Sequence, residues 1–195
     1  FTETEQIAKK FSFNRYKRVN PNEIADIYVF NTCSVTENAD KKFKNLVSKV
    51  NKLNANAFIA VIGCYAQLKT TEISKISGVD LVLGAAEKFN LDLFIDKRNK
   101  EKISKSYSCS IDSFKNFNSS FSDTNSSRTR SFLKIQDGCD YKCTYCTIPL
   151  ARGQSRSDSI ENVVKNVKKI VSKGIKEVVL TGINLGDFGN LHGKL

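Results

Sequence analysis

The sequence reads as an α/β protein in two parts, an open parallel sheet followed by the first units of a β/α barrel. Two observations lead there. Through residues 1–97, short apolar runs that stop at glycine, cysteine or asparagine alternate with helical stripes, the pattern of a sheet whose strands are joined by helices. In residues 127–195 a strand, a long cysteine-bearing loop, a helix and another strand follow one another. That is the building unit of a barrel whose post-strand loops carry the chemistry. Residues 98–126, rich in Ser, Asn and Asp, read as a linker between the two parts. A partly ordered excursion packed by Phe114, Phe117 and Phe121 is the alternative.

Each element has its own local reason. Residues 2–17 have the pattern of the end of a helix. Residues 25–30 (ADIYVF) are a nearly continuous apolar run, as expected for a parallel strand buried on both faces. The run stops at Asn31, Thr32 and Cys33. Ser34 with Glu37 three residues on forms a capping-box pattern, and Phe43, Leu46, Val47 and Val50 then recur at helical spacing. Residues 57–62 (AFIAVI) are the second strand, ending at Gly63 and Cys64; a short helix over residues 67–76 and a third strand over residues 79–83 follow. Loops after parallel strands leave one edge of a sheet, where ligands gather at the switch in strand order. Cys33 and Cys64 are expected together on that edge.

In the second part, residues 131–136 (SFLKIQ) have a strand pattern and residues 137–157 form the loop. Ile160, Val163, Val164, Val167, Ile170 and Val171 make one apolar stripe at helical spacing, closed by Gly174, and residues 176–181 (KEVVLT) are the next strand. Too few residues remain for a closed barrel, which takes roughly 200 or more. The chain starts at Phe1, contains no methionine and stops at Leu195, which reads as an internal piece of a longer protein.

Thirty-one Lys and Arg against twenty Asp and Glu give a formal charge of +11, which favours polyanionic partners, nucleic acid first among them. A diffuse charge that serves only solvation is the competing explanation. No apolar run is long enough to cross a bilayer, so no membrane partner is expected. Three of the six cysteines fall within eight residues and the rest are scattered. Such spacing suits metal binding in a reducing compartment, here the cytoplasm, better than a disulfide framework. With His192 as the single histidine, a mixed Cys and His zinc site has few ligands to draw on.

The chemistry concentrates in residues 138–146 (GCDYKCTYC), where Cys139, Cys143 and Cys146 have C-x3-C-x2-C spacing. Three thiolates on a tight loop hold three irons of a [4Fe-4S] cluster and leave the fourth open to a ligand, whereas four cysteines would close it for electron transfer alone. An open iron suits chelation by the amino and carboxylate groups of S-adenosylmethionine. An electron passed to the sulfonium then releases methionine and a 5′-deoxyadenosyl radical. Zinc asks for a fourth ligand and prefers paired C-x2-C arms, which makes a zinc knuckle the weaker reading. Tyr145 is placed either beside the cofactor's adenine or as a shield over the loop. No residue is singled out as catalytic in its own right.

Residues 134–153 (KIQDGCDYKCTYCTIPLARG) resemble the methylthiotransferase branch of radical SAM enzymes. Residues 31–40 (NTCSVTENAD) and 63–67 (GCYAQ) resemble that family's N-terminal motifs, and residues 180–189 (LTGINLGDFG) are most similar to its members that methylthiolate threonylcarbamoyladenosine in tRNA. The resemblance implies a flavodoxin-like N-terminal domain lacking its first strand, and a truncated TIM-type radical SAM barrel. It implies two [4Fe-4S] clusters, one on Cys139, Cys143 and Cys146 and an auxiliary one with Cys33 and Cys64 among its ligands. The third auxiliary ligand is expected ahead of Phe1. Without the family, lone cysteines at strand ends are more often inert small hydrophobes.

The implied reaction places sulfur and a methyl group at C2 of a modified adenosine next to the tRNA anticodon, with a flavodoxin or ferredoxin as electron donor. Isopentenyladenosine of tRNA or a ribosomal-protein aspartate are alternative substrates. An iron-sulfur electron carrier or a zinc-binding RNA module is the alternative of another class. These 195 residues alone are expected to be inactive. Gly182 and Asn184 are expected to approach the cofactor's methionine or ribose, although a turn after a strand uses such glycines equally. Arg152 and Arg156 are expected to pair with the cofactor carboxylate or with tRNA phosphate. Residues 128–156 hold six basic residues against two acidic ones, favouring an RNA substrate unless salt bridges consume the charge. Cys109 reads as a bystander and His192 as a surface residue.

Overall fold

The computed structural model describes residues 2–11, 15–20, 23–33, 37–96, 105–108, 117–122 and 129–189. It is a mixed α/β chain in two compact units, Phe11–Ile111 and a second unit joining Phe1–Lys10 to Asp112–Leu195. Ser34, Cys109, Phe114 and His192 lie outside the described residues.

The unit Phe11–Ile111 is built on a four-stranded parallel sheet in the order β1 (Ile27–Thr32), β2 (Phe58–Gly63), β3 (Leu81–Leu83), β4 (Lys105–Tyr107). All six β2 residues are buried because β2 has a strand on either side and cover on both faces, which is why its sequence is an unbroken apolar run. On one side lies α2 (Glu37–Leu53), whose Phe43, Val47 and Val50 face Ile59, Val61, Tyr65 and Ile73. These spacings are one face of a helix.

Three expectations change here. β1 is half-buried rather than covered on both faces, because it is an edge strand with β2 as its one described neighbour. The helix expected over residues 67–76 is two short ones, α3 (Cys64–Leu68) and α4 (Thr70–Ser74), separated at Lys69, whose ψ of 41° leaves the helical range. The stretch read as a linker supplies β4, an exposed polar edge strand of three residues, too short to show an alternating pattern. A 3₁₀ turn (Glu87–Asn90) and α5 (Leu91–Asp96) complete this unit. The strand order shows no reversal among the described strands.

In the other unit the sheet order is β5 (Ser120–Phe121), β6 (Arg130–Lys134), β9 (Glu177–Thr181), with β5 antiparallel and β9 parallel to β6. α7 (Ile160–Val171) makes the crossover between β6 and β9. Ser159 caps it, its hydroxyl accepting from the Asn162 N–H at 3.2 Å. The chain leaves the turn after α7 through Gly174 at φ 82°, a left-handed conformation that glycine adopts at no steric cost. The expected apolar stripe divides: Val163, Val167 and Ile170 pack with Leu133, Ile135 and Ile175, while Ile160, Val164 and Val171 stay exposed.

α1 (Thr2–Lys9) belongs to this unit too. Its Ile7 is buried, Thr2 accepts a hydrogen bond from Ser120, and Glu3 meets Lys134. The helix pattern expected over residues 2–17 thus ends at Lys9, and residues 15–20 carry no helix.

Candidate functional site

The chain runs from β6 through Ile135 into β7 (Gln136–Asp137), which pairs antiparallel with β8 (Arg156–Ser157). The residues between are therefore tied at their base. Gly138 opens the loop at φ 73°, and a Cβ there would collide with the carbonyl oxygen of Gln154, so only glycine lets the two ends come this close. The Cys139 N–H donates to the Gly153 carbonyl at 3.1 Å, and the Ser155 N–H donates to Asp140 Oδ1 at 2.9 Å. Within the loop the Cys146 N–H donates to the Cys143 carbonyl at 3.1 Å. α6 (Ile148–Arg152) follows, with Pro149 in its first turn where a missing N–H costs nothing.

Cys139, Cys143 and Cys146 are free thiols, Cys143 exposed and the other two partly so. Among the described residues, no three His, Cys, Asp or Glu side chains converge on one metal ion. The loop's fit to a cluster rests on its donors: three unpaired soft ligands within eight residues, on a backbone anchored at both ends. Tyr145 stands 90% exposed beside them, so it does not shield the loop.

Beneath the loop lies a buried charge cluster. Asp137 accepts from the Gly138 N–H and from Arg152 at 3.0 Å through Oδ1, and from Lys134 at 3.2 Å and Arg156 at 3.4 Å through Oδ2. Lys134 also meets Glu3 at 2.6 Å. Burial acts to raise the Asp137 pKa, but Lys134, Arg152 and Arg156 together outweigh it and hold the carboxyl below its usual range. Burial lowers the Arg156 pKa, with Asp137 opposing. This corrects the charge argument from sequence. Three of the six basic residues around the loop are consumed by a buried carboxylate, and a fourth, Arg130, lies 3.7 Å from Glu177.

Gln136 is the other residue that the sequence did not single out. It is fully buried and its amide joins two loops. Nε2 donates to the carbonyls of Asp137 and Gly138 and to Ser155 Oγ, at 3.2, 2.9 and 3.0 Å, while Oε1 accepts from the Ile183 and Asn184 N–H groups, both at 2.8 Å. Gly182 lies against this side chain, where an added Cβ would stand 2.9 Å from Gln136 Cβ. Asn184 Nδ2 donates to Asp187 at 2.8 Å. Gly182 thus lets the backbone pass close to Gln136. A glutamine in a strand pattern gives no sequence signal that it is buried.

In the unit Phe11–Ile111, Thr32 is the register partner of Gly63, so Cys33 and Cys64 follow directly at the ends of two adjacent parallel strands. Neighbouring strands lie about 4.8 Å apart. Gly63, at φ 104°, lets the chain pass from β2 straight into α3; a Cβ there would strike the Thr32 carbonyl. Cys33 is exposed and Cys64 partly so, and both are free thiols. Behind Cys64, Tyr65 donates to Glu72 at 3.2 Å, and its hydroxyl pKa is pushed up to about 12, first by burial and then by the charges of Asp40 and Glu72. The hydrogen bond from Lys44 is the main influence lowering the Glu72 pKa.

Residues 133–188 match the radical SAM superfamily, a class that binds a [4Fe-4S] cluster and S-adenosylmethionine, and residues 1–84 match the family described as Uncharacterized protein family UPF0004. The chain is similar, over nearly its whole length, to methylthiotransferases. It is 38% identical over 187 residues to Threonylcarbamoyladenosine tRNA methylthiotransferase MtaB of Bacillus subtilis (strain 168), covering 96% of this chain and 42% of the relative. Identity to the protein of the same name from Aquifex aeolicus (strain VF5) is 35% over 190 residues, 96% of this chain and 46% of the relative. Identity to tRNA-2-methylthio-N(6)-dimethylallyladenosine synthase of Helicobacter acinonychis (strain Sheeba) is 33% over 189 residues, 96% and 42%. The chain thus spans under half the length of these relatives. No helix among the described residues is long and apolar enough to cross a membrane.

Proposed function

We propose that this chain contributes to a tRNA methylthiotransferase that installs a methylthio group at C2 of threonylcarbamoyladenosine. The observation that carries the reading is the anchored loop bearing Cys139, Cys143 and Cys146, directly after a parallel strand, in a segment similar to proteins of that named activity. Those three thiols would hold one [4Fe-4S] cluster. When bound, such a cluster with one open iron supplies the electron that cleaves S-adenosylmethionine.

The residues of the chain supply the frame. Gly138 and Gly153 bring the loop ends together, Asp137 fixes Arg152 and Arg156 beneath it, and Gln136 ties in the backbone of residues 182–184. Tyr145, exposed beside the last thiol, is available to face the cofactor. Cys33 and Cys64 would be two ligands of an auxiliary cluster, a role supported by their adjacent strand ends. On this reading the unit Phe11–Ile111 corresponds to a flavodoxin-like domain, and residues 127–195, joined by α1, to the first units of a TIM-type barrel. The partners are tRNA and a flavodoxin or ferredoxin donor, in the cytoplasm.

Anaerobic reconstitution of the full-length protein with iron and sulfide, followed by dithionite and S-adenosylmethionine, tests the chemistry: 5′-deoxyadenosine is expected, and its absence defeats the reading. Nucleoside mass analysis of tRNA from a deletion strain tests the substrate. Loss of the methylthio group from threonylcarbamoyladenosine supports the proposal. Loss from dimethylallyladenosine, which the 33% identical synthase makes plausible, transfers the chemistry to that substrate.

A further inference from the structure

Gln136 hydrogen-bonds to both post-strand loops of the candidate site at once. Its amide orientation is set by its neighbours: two backbone N–H groups face Oε1 and two carbonyls face Nε2, so the reverse placement would oppose donor to donor and acceptor to acceptor. Two of the three donor contacts, at 2.9 and 3.0 Å, reach the opening and closing ends of the cysteine loop, Gly138 and Ser155. Both acceptor contacts hold the segment after β9. The side chain is wholly buried, and Gly182 leaves the space it fills.

We propose that Gln136 is a positioning residue: it holds the 182–184 backbone against the base of the cysteine loop, and through that backbone it sets how tightly S-adenosylmethionine binds. The proposal rests on reading residues 133–188 as the cofactor-binding segment. Three alternatives for this side chain differ in what they keep. Glutamine supplies donor and acceptor. Glutamate keeps the acceptor for Ile183 and Asn184 but turns a carboxylate toward two carbonyls. Leucine keeps the volume and supplies neither.

The full-length protein and its Gln136→Glu and Gln136→Leu variants are to be compared by three measurements. Amide hydrogen exchange of the cluster-free protein reads the loop itself; Gln136→Leu should speed exchange at Ile183 and Asn184, and Gln136→Glu should largely preserve the wild-type rate. Iron content after anaerobic reconstitution should match wild type in both. The concentration of S-adenosylmethionine that half-saturates the change in the reduced cluster's paramagnetic resonance spectrum should rise about tenfold or more in Gln136→Leu, the scale expected on losing an orienting partner behind a ligand, and less in Gln136→Glu. Unchanged half-saturation in Gln136→Leu overturns the proposal, as does loss of iron in both variants, which would make Gln136 a support for the cluster loop alone. If wild type itself shows no spectral response to the cofactor, the reading of the segment fails and takes the proposal with it. The exchange result then still reports whether Gln136 holds the loop.

Discussion

Replacing Asp137 with asparagine removes one charge and almost no volume from the centre of the buried cluster. Lys134, Arg152 and Arg156 then lose the carboxylate they share, while the ion pair between Lys134 and Glu3 stays. Breaking a buried ionic group by removing one partner costs about 3–5 kcal/mol, because the surviving charges stay desolvated. With urea slopes of about 1–3 kcal/mol/M, the unfolding midpoint of this unit should fall by about 1–5 M. Urea unfolding followed by hydrogen exchange across residues 130–137 reads that unit separately from the parallel sheet.

The pH dependence has a definite sign. The folded Asp137 pKa lies below its ordinary value of 3.8, so its contribution is fully present above that value and is lost as pH falls through the folded pKa. Asp137→Asn should therefore flatten the acid side of the stability profile. A midpoint shift below about 0.3 M, with an unchanged acid limb, would refute the claim that this carboxylate holds the three cations.

Other substitutions test other parts of the frame. Gly138→Ala forces φ 73° on a residue with a Cβ aimed at the Gln154 carbonyl; holding a non-glycine residue in such a region costs about 1–3 kcal/mol, and both melting temperature and iron uptake should fall. Ile59→Ala empties a fully buried position in β2 and should cost about 2–5 kcal/mol in chemical denaturation, with β6 exchange unaffected. In an absorbance titration Tyr65 should ionise near pH 12, above the ordinary tyrosine value of 10.0. Between 10.0 and about 12 the unfolded chain has released this proton and the folded one has not, so stability falls as pH rises across that window, and Tyr65→Phe should remove the fall.

The strands and helices with strong apolar spacing were readable because periodicity reports burial: β2, α7 and β9 lie within one or two residues of where the pattern puts them, and α2 buries Phe43, Val47 and Val50 of its expected stripe while Leu46 stays exposed. β4 escaped notice since an edge strand of three exposed residues has no pattern to show. The cysteine loop was readable from spacing, and the juxtaposition of Cys33 with Cys64 from the rule that parallel strands end on one edge. Asp137, Gln136 and Glu3 were not. Their importance lies in contacts up to 131 positions apart, and a charged residue that is buried has the same letter as one in solvent. Arg152 and Arg156 show the same limit in reverse, since charges that looked available to a polyanion face an internal carboxylate.

The unit that holds the cysteine loop is not continuous along the chain. α1 precedes the other described elements in the chain and packs against β5 and β6, more than a hundred residues further on. At about 5–20 residues per second, synthesis of the ~125 residues from the end of α1 to the end of β6 takes roughly 6–25 s. For that period Glu3 lacks Lys134, and the parallel sheet of the other unit is free to form first. A chain divided near residue 97 would separate Glu3 from Lys134, so a cut that follows the sequence boundary would remove a buried carboxylate from the unit it was meant to isolate.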